Sequence, residues 1–158
     1  MTAGPLDPAN PVVALCAAGM AAEGTPEEAR RLFERAWAAR RDDLDAAIAA
    51  HYLARHQPTP EATLDWHARA ARDAEAVAGG RAAPLLASLY LNLADAQAAV
   101  ADRAAAAATV RLAAAHLEAL PADGYRDFVA GGVRRLAERL GAADDSAHYE
   151  ERERRAAR

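Results

Sequence analysis

The chain has 158 residues, 53% of them hydrophobic, and carries a net charge of −4 from 23 acidic and 19 basic side chains. That length suffices for one domain with a real core, and the acidic balance argues against a nucleic-acid binder, which needs a basic face. β-Branched residues are scarce, with one Ile, seven Val and five Thr, while Ala makes up about 30% of the chain, so the composition predicts an all-α fold.

All 19 basic residues are Arg and none is Lys, and there are only two Asn. This reads as coding bias rather than as selection for phosphate recognition. Arg30-Arg31, Arg40-Arg41 and Arg134-Arg135 have acids nearby, as on solvated helix faces. Cys16 stands alone in an apolar run, which excludes a disulfide framework and a Cys-based metal site and marks a small core residue. No cofactor and no metal is implied. No basic residue precedes Arg30, so the positive region of a signal peptide is missing, and the apolar run at 11–22 is too short to span a bilayer. The expectation is a cytoplasmic protein with no membrane partner.

Residues 1–9 are expected to be a flexible N-terminus. The first helix is "PVVALCAAGMAA", at 11–22. The second is in "GTPEEARRLFERAWAAR", with Thr25 as N-cap, Pro26 at the first helical position and Glu28 completing a capping box. A third helix spans 44–57. "QPTPEATLDWHARAARDAEAV" repeats the starting device with Thr59 and Pro60. After "VAGGRAAP", at 77–84, come "PLLASLYLNLADAQAAV", whose helix is placed at 84–99, and "DRAAAAATVRLAAAHLEAL". "PADG", at 121–124, precedes a final helix in "YRDFVAGGVRRLAERLG". Its Gly131-Gly132 pair costs about 1 kcal/mol per residue in helix stability, which points to close approach of a neighbouring helix, in this chain or in a twin subunit. Residues 141–158 form a charged tail, partly helical or frayed.

Pro26 and Pro60 lie 34 residues apart, as do Glu27 and Glu61, Arg35 and Arg69, and Ala36 and Ala70. A 34-residue period of helix–turn–helix units resembles the tetratricopeptide repeat. Ala29, Phe33 and Ala36 match its small, aromatic and small positions, and Gly24 its turn glycine. The second unit, 44–77, keeps the Pro-Glu start and Ala70, but has Pro58, Thr63 and His67 in place of the turn glycine, the small residue and the aromatic. The third unit starts about nine residues late, with Tyr90, Leu93, Ala94 and Ala113 in place.

The resemblance covers residues 10–140 as a single domain. It implies antiparallel helical hairpins stacked as a short right-handed solenoid, about three pairs plus a capping helix, whose A helices line a concave surface. The whole pattern also resembles small bacterial repeat proteins that carry "AAHY-ARHQ", a Pro-Glu start and "SLYLNL", and have no assigned activity. Some of those carry an rRNA adenine methyltransferase label, which this sequence does not support: it has no strand–loop–helix glycine motif for a methyl donor.

"AAHYLARHQPTP", at 49–60, crowds His51, Tyr52, Arg55, His56 and Gln57 into less than two helical turns. The repeat register places His51 and His67 against each other in the seam of the second unit, with Trp66 beside them. They are either a neutral, hydrogen-bonded pair packed under a Trp or a point where a ligand reaches the seam; two His are too few for a metal. The register turns Tyr52, Arg55 and His56 toward the concave face, extended by Asp45 and Ile48, with Ser88, Leu91 and Asp95 opposite on the next A helix.

The face around 44–57 and 84–99 is therefore predicted to recognise a protein or peptide segment or a small acidic ligand. Arg55 acts there as anion anchor, or else an Arg55–Asp95 ion pair merely fixes how two units stack. The Lys and Asn residues of the family's carboxylate-clamp members are absent, so that specificity is not implied. Asn92 either bonds across the seam or faces a ligand. Trp37, Tyr90, Leu93 and Phe128 read as core.

No catalytic motif is found, and His51 with Asp95 or Glu61 has no nucleophile beside it, so the chain reads as a binding or scaffolding module and not an enzyme. The alternative is an accessory small-molecule-binding protein or enzyme using a pocket of His51, Tyr52, Arg55 and His67. A third reading is a homodimer whose groove is filled by its own residues 144–158.

Overall fold

Prolines and short polar side chains start most of the helices. The computed structural model describes the backbone of residues 6–156 and the side chains of residues 6–141. Helix α1 (Pro11–Ala21) begins where Asn10 accepts a hydrogen bond from the Val12 N–H at 2.8 Å. Helix α2 (Pro26–Ala38) has Pro26 in its first turn, but Thr25 makes no side-chain cap bond. With Thr25 at φ −125° and ψ 87°, only its carbonyl engages the helix, accepting from Glu28 and Ala29, so the expected capping box does not form.

Asp42 caps α3 (Asp43–Ala54) through the Asp45 N–H, a cap not read from the sequence, and Thr59 caps α4 (Pro60–Ala76) through the Ala62 N–H, as the sequence predicts. Gly79 and Gly80, both at positive φ (72° and 70°), turn the chain into α5 (Ala83–Ala99). Asp102 caps α6 (Arg103–Ala115), and α7 runs from Gly124 to Ala156. The predicted capping helix and the tail after it are thus one helix as far as Ala156. Side chains beyond 141, and the first five residues of the expected flexible N-terminus, lie outside the described residues.

Among the described residues the protein is all-α, with seven α-helices, two 3-10 turns and no strand. Short connections fold α2 back on α1, α4 on α3 and α6 on α5, while α1 also touches α3 and α5 touches α7. The late start of the third pair is partly extra helix, since α4 has 17 residues against 13 in α2, and partly the two-glycine turn.

Two cores result. The first joins α1–α4, with Leu89 of α5, around Val12, Cys16, Phe33, Ile48 and Leu53 with many alanines between. The second joins α5–α7, with Ala71 of α4, around Tyr90, Leu93, Val110, Val129, Val133, Leu136 and Leu140. Each has one helix crossing that admits only glycine without adjustment. A Cβ on Gly19 would stand 2.3 Å from the Phe33 ring, and one on Gly132 2.7 Å from Leu91. The helix that Gly132 accommodates is therefore the chain's own α5.

Asp45 and Ile48 belong to the interior rather than to an open face. They are 1% and 3% exposed. Asp45 accepts from Asn10 Nδ2 at 2.6 Å and from the Arg41 backbone N–H and Nε, both at 3.1 Å, which ties the start of α1 to α3. Among the described residues, no helix is long and apolar enough to cross a membrane.

Candidate functional site

A cleft of about 500 Å³ opens where α3, α5 and α7 converge. Helix α3 contributes His51 and Arg55, and α5 contributes Ser88, Leu91, Asn92 and Asp95. The longest wall is α7. Tyr125, Phe128, Gly132, Arg135 and Arg139 recur every three or four residues and so share one face of the helix, with Val129 and Leu136 buried behind them.

Five of the nine residues singled out from sequence share this cleft: His51, Arg55, Ser88, Asn92 and Asp95. Tyr52 and His56 do not line it. They turn toward α2, where Tyr52 stacks on Phe33 at 5.6 Å and 13° and His56 lies 5.0 Å from the same ring. Burying these rings against Phe33 closes the first core, and that outweighs exposing them on an open face. Trp66 is not beside the histidines either. It meets Trp37 edge-on at 4.9 Å, and the Arg40 and Arg69 guanidinium groups lie 3.8 and 4.8 Å from the Trp37 ring.

The charged residues pair differently from either expectation. Arg55 pairs with Glu23 at 2.9 Å. Asp95 pairs with Arg139 of α7 at 2.5 Å. The Arg55–Asp95 bridge therefore does not form, because each partner has an acid or base nearer to hand. Ser88 donates to the Leu85 carbonyl at 2.9 Å and Asn92 Nδ2 to the Ser88 carbonyl at 2.7 Å, both within α5. Such back-bonding satisfies a polar side chain locally. It spends one Asn92 amide N–H on the helix.

His51 and His67 do meet, with ring centroids 6.0 Å apart, and Tyr52 lies 5.0 Å from His51. His67 is buried, and the Nδ1 atoms of both rings are buried without a hydrogen-bond partner among the described residues. Burial, reinforced by the neighbouring His67 and Arg55 charges, pushes His51 down to about 3. Burial also brings His67 down to about 4, with Asp95 opposing and Arg55 assisting. Both rings are therefore neutral near pH 7. Among the described residues, no hydroxyl or thiol bonds either buried Nδ1.

Sequence reasoning missed the α7 wall. Phe128, expected in the core, is 68% exposed, and Tyr125 is 51% exposed. Arg135 is exposed and forms no ion pair with a described residue. The signal was present in the spacing 125, 128, 132, 135 and 139, but that stripe alternates aromatic, glycine and arginine and shows no simple polar or apolar face. Among the described residues, no group of three or more His, Cys, Asp or Glu side chains could hold a metal ion. No protein-family model matches the chain, and no significant match is found among curated proteins or solved structures.

Proposed function

We propose that this protein is a short tetratricopeptide-like helical module that binds a peptide segment of a partner protein in the cleft between α3, α5 and α7. The stack of three helix pairs and a further helix, and the α1–α3 and α5–α7 contacts, support that architecture. The observation that carries the binding role is Phe128. A large aromatic side chain 68% exposed at the edge of a concave cleft is what interaction sites hold and what free surfaces generally lack. Tyr125, Leu91 and three arginines around it supply the mixed apolar and polar lining of a peptide groove.

The competing small-molecule or enzyme reading needs an enclosed pocket of His51, Tyr52, Arg55 and His67. Here the space between those rings and Phe33 is occupied by the rings themselves, so the open cleft is favoured. A cytoplasmic setting is part of the proposal, supported by a single thiol, Cys16, that burial pushes up to about 12 and makes inert.

An array of short fluorescent peptides of varied composition, read by anisotropy, tests it. The expected result is a set of binders that Phe128→Ala loses while its melting temperature holds. An array with no binder, or binders indifferent to Phe128→Ala, overturns the reading.

A further inference from the structure

Resting on that binding role, we infer that the cleft reads an extended segment carrying an aromatic or large aliphatic side chain about three residues away from a carboxylate. The two anchors lie on one face of α7. At the N-terminal end Phe128 projects into solvent, with Tyr125 one turn before it and Leu91 of α5 across from it. At the other end stands Arg135.

Charge selects the second anchor. Three guanidinium groups border the cleft, but Arg55 is held by Glu23 and Arg139 by Asp95. Arg135 has no acidic partner among the described residues, and its guanidinium lies back over its own helix, 3.2 Å from where a Gly131 Cβ would be. An exposed, uncommitted guanidinium beside an apolar anchor is complementary to a carboxylate, which its planar fork can grip with two hydrogen bonds. Gly132, between the anchors on the same stripe, lets Leu91 of α5 pack close against α7 there, an apolar floor between the two anchors.

Spacing then fixes the register. Phe128 and Arg135 are seven residues apart on a helix, a backbone rise of roughly 10 Å, and the guanidinium matches that rise when it swings off Gly131 to meet a carboxylate. An extended peptide covers about 3.3 Å per residue, so about three residues separate side chains that reach both anchors.

The test uses the full chain and host peptides of Gly and Ser with one Phe and one Glu, offset by one to five residues in either order. The expected result is tightest binding at an offset of three, about tenfold over offsets of one and five. Arg135→Gln is expected to abolish the advantage of Glu over Gln in the peptide. Phe128→Ala is expected to abolish the advantage of Phe over Ala. Higher salt is expected to weaken only the Glu-dependent part.

Binding that ignores the offset, or a preference for Glu that survives Arg135→Gln, overturns the inference while leaving the peptide-binding role intact. Binding of simple aliphatic dicarboxylates as tightly as the peptides overturns it in favour of a small-acid site. Failure of every offset while the varied array still yields binders overturns the register alone. Failure of both arrays overturns the register and the binding role together.

Discussion

The two ends of this molecule use their conspicuous residues in opposite ways. In α1–α4 the unusual side chains are buried or half-buried against one another. Phe33, Tyr52, His56, His51 and His67 form one chain of ring contacts, Trp37 and Trp66 form another, and Asp45 fastens α1 to α3 from inside. In α5–α7 the interior is mostly Leu, Val and Ala, with Tyr90 the one buried ring among the described residues there, and Tyr125, Phe128, Arg135 and Arg139 stand at the cleft. A polar, aromatic-rich stretch is thus a packing device in one half, while a less conspicuous helix in the other half carries the exposed chemistry.

The two phenylalanines of the chain offer the sharpest way to break that comparison. Phe33 is 0% exposed and Phe128 is 68% exposed. Phe33→Ala removes the ring on which Tyr52 and His56 rest and is expected to cost about 3–5 kcal/mol in a denaturant melt. Phe128→Ala is expected to change stability by less than about 0.5 kcal/mol while losing peptide binding. Comparable destabilisation by both would mean that α7 is packed like α2 and that the cleft is not a free surface.

Acid is expected to strike the first half before the second. His51 and His67 are driven to about 3 and about 4 chiefly by burial. The unfolded chain takes up these protons near pH 6.5, and the folded chain does not until those lower values are reached. Their stabilising effect is therefore complete above pH 6.5 and is lost as pH falls from there toward 4 and 3. The slope is at most about 1.4 kcal/mol per pH unit for each ring. Asp45 acts lower down: burial raises its carboxyl, but hydrogen bonds from Asn10 and Arg41 outweigh this and hold it below the usual 3.8. Its contribution is lost only as pH falls below that range. A His51→Leu/His67→Leu double variant is expected to flatten the melting temperature between about pH 7 and 5. An unchanged slope would mean that the two rings are not buried neutral in solution.

The helices were legible in the sequence because their signals are local. Pro11, Pro26 and Pro60 in first turns, Thr59 as a cap and the break at Gly79-Gly80 act within a few residues of themselves. The approach of His51 and His67 was legible because a repeat register fixes which faces of adjacent helices meet. What the register could not supply was competition between long side chains. Whether Arg55 reaches Asp95 or Glu23 depends on where α1 ends, and Asp95 is taken by Arg139, which is 44 residues further along the chain. The same limit hid the cleft, since its third wall is α7, a helix outside the three helix pairs.

The two tight glycines separate the halves most finely. Both would gain up to about 1 kcal/mol of helix propensity on becoming Ala. At Gly19 the new Cβ meets three atoms of the Phe33 ring at 2.3–2.8 Å, and that ring is fully buried with Tyr52 stacked on it. The ring has nowhere to go, so Gly19→Ala is expected to destabilise by about 1–3 kcal/mol, as overpacking does. At Gly132 the Cβ meets only the far end of Leu91, 2.7 Å away, and Leu91 borders the open cleft. Leu91 can swing aside, so Gly132→Ala is expected to stay within about 1 kcal/mol of wild type. Its effect belongs instead to binding, because a displaced Leu91 narrows the cleft between Phe128 and Arg135. A Gly132→Ala protein that melts like wild type and binds the Phe/Glu peptides more weakly would show that this crossing, unlike the one at Gly19, is spaced for a ligand rather than for the core.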